Sequence, residues 1–273
     1  MRTVALADLL AGVDAGAATI TAPDVAPDFA SYVAAGVARE PSKPYLTWYD
    51  DGTGERVELS YATFANWVWK TANYLRDGLD VQPGERVGVL LRSHWQTVAI
   101  WYGAWVAGAV VVPLHIESLV PQHVGVVFAQ EDALPAVLAA KVSTGEVLGL
   151  ALRPMAGRLT ATPAGVTDYA IEVPAYGDRF SPATRVPLTS AALPGGTVAD
   201  VLARAAAAAA YLDLHPADRL LCTTEIAEPD AFVATALAAF AAGAGIVLSP
   251  NADEARLPRR CADERVTVHV PAV

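Results

Sequence analysis

The stretch Val186 to Asp200, VPLTSAALPGGTVAD, holds two adjacent hydroxyl side chains, Thr189 and Ser190. Gly195, Gly196 and Thr197 follow, directly ahead of a segment with helical periodicity. Hydroxyls and glycine amides gathered at a helix N-terminus can bind an anion such as a phosphate group, because main-chain N–H groups and the positive end of the helix dipole converge there. An ammonium would complete such a cradle, and this stretch contains no Lys. The same residues allow a plainer reading, preferred here, in which Pro-Gly-Gly is a tight turn into the helix. A second candidate is formed by Thr224, Glu225 and Glu228, at and just past the end of the apolar run DRLLCTT. Two neighbouring carboxylates at the carboxyl end of a parallel strand could share acid and base roles. The plainer alternative, again preferred, is a solvated acidic loop.

Other chemistry is disfavoured by spacing. The five histidines, His94, His115, His123, His215 and His269, show neither i,i+4 pairing nor an H-E-x-x-H pattern, and Cys222 and Cys261 form no C-x-x-C, so no metal site is expected. G-x-S-x-G and G-x-G-x-x-G are absent as well. A net charge of −10 with no long basic run argues against nucleic acid as a partner. Two cysteines without a disulfide pattern fit a reducing cytoplasm. The N-terminal apolar run is broken by Asp8 and does not read as a secretion signal. Ala231 to Leu248 comes nearest to a membrane span, but its A-A-G-A-G centre reads better as a helix end followed by a strand, so no membrane partner is expected.

The elements that must position these candidates are legible between Leu59 and Pro113. LSYATFANWVWKTANYLRDGL spaces Phe64, Trp67, Val68, Thr71, Tyr74 and Leu75 as one helical face, with Ser60 as its cap and Gly78 just past its end. Pro83 and Gly84 turn the chain into the strand RVGVLL, Ser93 is placed to cap a helix through Trp95, Val98, Trp101 and Trp105, and Gly108 leads into the strand AVVVPL. Strand, helix and strand within about 30 residues make a right-handed parallel crossover. The pattern returns as a helix over TVADVLARAAAAAAYLDL, the strand DRLLCTT, the helix DAFVATALAAFAAG, the strand AGIVLSP and a last strand in VTVHVPAV. Between the two tracts, Val147 to Phe180 reads as β-hairpin material. The first residues, with Pro23 and Pro27, read as a peripheral segment of one or two helices. The expected organisation is one body over 1–273: a peripheral helical segment over 1–30, a first lobe over about 30–180 and a second over about 181–273. The fold class is α/β, with two related lobes of mostly parallel sheet flanked by helices.

Residues 30 to 135, including the run AGAVVVPL, resemble the opening of the adenylate-forming, AMP-binding synthetase superfamily, which includes acyl-CoA synthetases. The resemblance implies the N-terminal half of that family's large domain. It aligns Leu188, Thr189 and Ser190 with the start of the family's ATP phosphate loop, T-S-G-T-T-G-x-P-K-G, here shorter by about three or four residues and without its Lys. A charge-assisted hydrogen bond to phosphate is worth about 1.5–3 kcal/mol, so only a weak ATP or AMP site is implied. The segment around Thr224, Glu225 and Glu228 resembles the one lining the family's acyl pocket, without its usual histidine. The 273 residues also hold none of the family's adenine-stacking, ribose-binding or C-terminal catalytic-lysine motifs.

The resemblance therefore implies a non-catalytic relative that binds or scaffolds, with no certain cofactor. The alternatives are half of a split acid–AMP ligase completed by a complementary chain, or a scaffold recruited to other chemistry at Glu225, Glu228 or His115. A homodimer through an exposed sheet edge is the other partner expected.

Overall fold

Leu9 and Val13, four residues apart, form the buried face of α1 (Leu6–Ala17), which follows a two-residue strand, β1 (Arg2–Thr3). Helix α2 (Phe29–Arg39) precedes a hairpin of β2 (Pro44–Asp50) and β3 (Glu55–Ser60). Ser60 caps the next helix, α3 (Tyr61–Asn73), its Oγ accepting from the Thr63 amide at 3.1 Å, and a π-helical turn over Tyr74–Gly78 ends it. The expected crossover follows as β4 (Arg86–Leu90), α4 (Trp95–Ala107) and β5 (Val110–Pro113), with Gly108 closing the helix at φ +86°. Next come β6 (Val124–Gln130), α5 (Leu134–Ala140), β7 (Ser143–Leu150), β8 (Thr167–Asp168) and α6 (Tyr169–Glu172). A short pair, β9 (Ala191–Leu193) and β10 (Gly196–Thr197), leads into the alanine-rich α7 (Val198–Tyr211). The chain continues through β11 (Arg219–Cys222), α8 (Pro229–Phe232), a π-helical turn, α9 (Ala238–Ala242), β12 (Gly245–Leu248), α10 (Leu257–Asp263) and β13 (Val268–Val270).

These elements belong to a computed structural model that describes residues 1–17, 27–121, 123–181 and 185–272. They form an α/β fold of mostly parallel sheets flanked by helices, divided into two units. Unit 1 gathers residues 1–27, 31–64 and 199–273; unit 2 comprises 28–30 and 65–198. The unit 2 sheet has the order β5-β4-β6-β7-β8 and is parallel throughout. Its central strands are buried Val, Leu and Phe on both faces, as a parallel sheet covered by helices requires. In α4 all thirteen residues are buried, and Trp101 and Trp105 lie in the core, as their spacing predicted.

The unit 1 sheet has the order β1-β13-β11-β12-β2-β3, parallel except for the β2–β3 hairpin. Its core includes an aromatic cluster in which Tyr45 meets Phe64 at 4.7 Å and Phe240 at 5.2 Å. Buried tyrosine hydroxyls need partners, and Tyr45 and Tyr61 donate to the carbonyls of Ala236 and Ala244, both at 2.9 Å.

Some expectations hold and others need correction. Ala231 to Leu248 is the helix end and strand foreseen, turning at Gly243 with φ +68°, and no helix among the described residues is long and apolar enough to cross a membrane. His94, not Ser93, caps α4: its Nδ1 accepts from the Gln96 amide at 3.2 Å.

The segment Val147 to Phe180 is not a hairpin, because β7 and β8 run parallel. A parallel partner demands a long connection, and the Asp168 carboxylate fixes it by accepting from the amides of Leu159 and Ala170, both at 2.9 Å. At the N-terminus, β1 adds a strand beside β13 that was not expected. Pro23 falls in 18–26, outside the described residues.

Candidate functional site

The first candidate stretch folds as a closed β-hairpin. β9 and β10 pair antiparallel, Leu193 opposite Gly196 and Ala191 opposite Thr197, so Pro194 and Gly195 form the two-residue tip. Gly195 has φ +83°, and a Pro-Gly tip with positive φ at its second residue is the pattern of a type II turn. A Cβ on Gly195 would meet nothing within 4 Å, and one on Gly196 would touch only the Leu193 Cβ at 3.8 Å. In this conformation Gly195 is required for its backbone angle, and neither glycine is required for a close approach.

The main-chain groups around the hairpin are also engaged. Ser190 donates its amide to the Pro187 carbonyl at 2.9 Å, and its own carbonyl takes the Val198 amide at 2.9 Å. Helix α4 holds the hairpin through the Trp105 indole, which donates to the Ala192 carbonyl at 2.8 Å. Thr189 is exposed and Ser190 half-buried at the base of this unit. Gly195, Gly196 and Thr197 thus lie in the hairpin itself, and Thr189 and Ser190 in the turn that precedes it.

The second candidate lies at the carboxyl edge of the unit 1 sheet. Glu225 and Glu228 are both exposed, and the fully buried Ile226 sits between them in the chain. Glu228 opens α8, where its carbonyl receives the Phe232 amide at 2.9 Å. Thr224 is half-buried, and its carbonyl faces the Cys222 thiol at 3.7 Å. Burial pushes that thiol up to about 12, which keeps it protonated and unreactive.

The neighbouring Thr223 was not a sequence candidate. Its Oγ1 accepts the Ala272 amide at 3.0 Å and lies 3.3 Å from Nε2 of His269. Burial biases the His269 imidazole toward its neutral form, in which the Thr223 hydroxyl and Nε2 can share one hydrogen bond with either as donor.

A larger set of side chains missed from the sequence sits beside α10 in unit 1. Arg260 donates to Asp51 at 2.5 and 3.1 Å and to the Ser249 hydroxyl at 2.6 Å, while lying 4.2 Å from the Tyr49 ring centre. Those hydrogen bonds hold the Asp51 carboxyl below its usual range. One turn on, Glu264 receives Arg56 at 2.9 Å, Arg219 at 2.8 Å and the Tyr49 hydroxyl. Burial alone would raise the Glu264 carboxyl, but the hydrogen bonds from Tyr49 and Arg56, with the charge of Arg219, hold it low. The signal was not readable locally, since Asp51 and Arg260 lie 209 positions apart. Cavities among the described residues of unit 1 include one of about 570 Å³ beside Lys43, Asp218, Arg219 and Arg265, one of about 490 Å³ beside Leu257, Cys261, Val266 and His269, and one of about 450 Å³ beside Tyr32, Arg39, Leu202 and His215. Among the described residues no group of three or more His, Cys, Asp or Glu could hold a metal.

Comparison with known proteins fixes the kinship. The AMP-binding enzyme family matches residues 33–146. A Mycobacterium tuberculosis protein described as a TIGR03089 family protein is 42% identical over 228 residues, covering 84% of this chain and 91% of that one. The chain belongs to the TIGR03089 family. Its fold is that of acyl-CoA synthetases. A Mycobacterium tuberculosis fatty acyl CoA synthetase is similar with TM-score 0.70 at 18% identity, over 89% of this chain and 49% of that one. The acetoacetyl-CoA synthetase of Streptomyces lividans is similar with TM-score 0.71 at 19% identity, over 89% and 42%. This TIGR03089 family chain therefore spans about half the length of those solved synthetases.

Proposed function

We propose that this chain is a non-catalytic relative of the adenylate-forming enzymes that acts by binding or scaffolding, with at most a weak nucleotide or acyl-ligand site. The observation that carries this reading is the hairpin at Leu193–Gly196. A triphosphate cradle needs several amides and an ammonium converging on one anion. Here the Ser190 and Val198 amides already serve the main chain, Gly195 serves a turn, and no Lys stands between Val186 and Asp200. The side-chain donors nearest the base of the hairpin are the hydroxyls of Thr189 and Ser190, which carry no formal charge. We also propose a cytoplasmic setting, on the two free cysteines, and no nucleic-acid partner, on the acidic balance.

The test is a thermal-shift titration of the isolated chain with ATP, AMP, CoA and a panel of carboxylic acids. A tight ligand would raise the melting temperature progressively with concentration. The expected result is no rise, or a small rise only at millimolar nucleotide. A saturable rise at micromolar ATP would overturn the reading. A second reading, completion of a split acid–AMP ligase by a complementary chain, is favoured by the match to about half the length of the solved synthetases. It predicts that pyrophosphate release from ATP appears only when a chain carrying the remaining family motifs is added.

A further inference from the structure

We propose that the free edge of β3 is a self-association surface, on which β3 of a second copy pairs antiparallel about a two-fold axis passing beside Val57. Among the described strands, β3 ends the unit 1 sheet, with β2 on one side and no strand on the other. An open edge presents unpaired N–H and C=O groups, a template for another strand. The devices that commonly blunt such an edge are missing from its middle. No Pro lies within β3, and the one irregularity in its pairing with β2 falls at the Pro44/Leu46 end, leaving Glu55 to Leu59 in regular register.

Symmetry then selects a register. When two copies of one strand pair antiparallel about a two-fold axis, the residue at the axis faces its own copy. An axis at Arg56 sets arginine against arginine, and an axis at Glu58 sets glutamate against glutamate. An axis at Val57 places valine on valine and Arg56 opposite Glu58 twice. Opposite charges directly across a strand pair stabilise it, and like charges destabilise it.

Both side chains are partly exposed, 43% and 34%, and both lie on the sheet face that carries Thr47 and Tyr49, which they contact at 3.3 and 2.9 Å. Within one chain Arg56 and Glu58 are already 2.7 Å apart, so pairing would close four charges of alternating sign into one cluster. Charged edges more often repel a partner than attract one, but that works through like charge. Alternating signs two positions apart are self-complementary. The inference does not depend on whether the chain binds nucleotides.

Light scattering of the full chain at tens of micromolar tests it. The expected mass is twice 28.5 kDa. Arg56→Glu and Glu58→Arg should each weaken the dimer by at least about tenfold in dissociation constant, and the double exchange should restore it. Arg56 also binds Glu264, so melting temperatures of all three variants accompany the masses. The Glu58→Arg variant and the double exchange separate association from folding. In a Cys261→Ser background, Val57→Cys should form a covalent dimer on oxidation, because the two Cβ atoms at the axis lie within disulfide reach, whereas Arg56→Cys should not. A monomeric wild-type chain, or a dimer indifferent to both charge reversals, would overturn the proposal.

Discussion

In unit 2 the buried cap of α4 is a neutral base, His94, on a helix buried along its whole length; in unit 1 the carboxylates beside α10, Asp51 and Glu264, are each held by arginines. His94 is fully buried, and burial lowers its pKa to about 3, so it caps α4 as a neutral ring. Asp51 and Glu264 stay ionised because Arg260, Arg56 and Arg219 reach them. The difference follows from the helices. α4 buries thirteen residues and gains its stability from packing, so its cap must be uncharged. α10 has seven residues and offers mainly Leu257 and Cys261 to the apolar cluster of Leu221, Val247 and Val266. Charge supplies what its short apolar face cannot.

The contrast predicts different breaking points. Trp105→Ala should have the largest effect, about 4 kcal/mol by thermal or urea unfolding, because it empties a packed site in α4 and removes the hydrogen bond to Ala192. Trp105→Phe should lose much less, which isolates that bond. Arg260→Ala should cost about 3 kcal/mol, since it leaves Asp51, 8% exposed, without its main partner. A loss below about 0.5 kcal/mol would place this pair with ordinary surface bridges.

Acid should separate the two regions. His94 in the unfolded chain takes its proton near pH 6.5, well before the folded chain does. The stability it supports is therefore full above that pH and declines as pH falls toward about 3, with a slope near 1.4 kcal/mol per pH unit. Asp51 and Glu264 have folded pKa values below their unfolded ones. Their contribution is present above the ordinary carboxylate range and is lost only as pH falls through it. Melting curves between about pH 5 and 6.5 should thus slope in the wild type and flatten in His94→Gln, while Arg260→Ala lowers the whole curve in that window and changes its slope only below it. Equal slopes in wild type and His94→Gln would break the comparison. The smallest effect expected is from Gly195→Ala, about 1 kcal/mol, from strain at φ +83° alone.

Local pattern carried much of this fold. The β4–α4–β5 crossover, α7 and the helix-to-strand passage at Gly243 were legible because apolar period and punctuation agree there. What was not legible depended on distant pairing. β1 is two residues long and exists because β13 lies beside it; β8 is equally short and is set by β7. That β2 would join β12 could not be read from either strand. At the candidate site, Pro194-Gly195 gave the turn away, and Ser190 gave no hint that its carbonyl takes the first amide of α7. The Asp51–Arg260 and Glu264–Arg56 pairs join residues about 200 positions apart, and single charged letters in a sequence carry no sign of such partners.

The central proposal is that this chain, closed into a hairpin at Leu193–Gly196, does not activate carboxylates by itself. Exchange of labelled pyrophosphate into ATP, measured on the purified chain with a broad set of organic acids, tests this directly. The account predicts no exchange above a protein-free control. Exchange that rises with one acid and vanishes when it is withheld would contradict it.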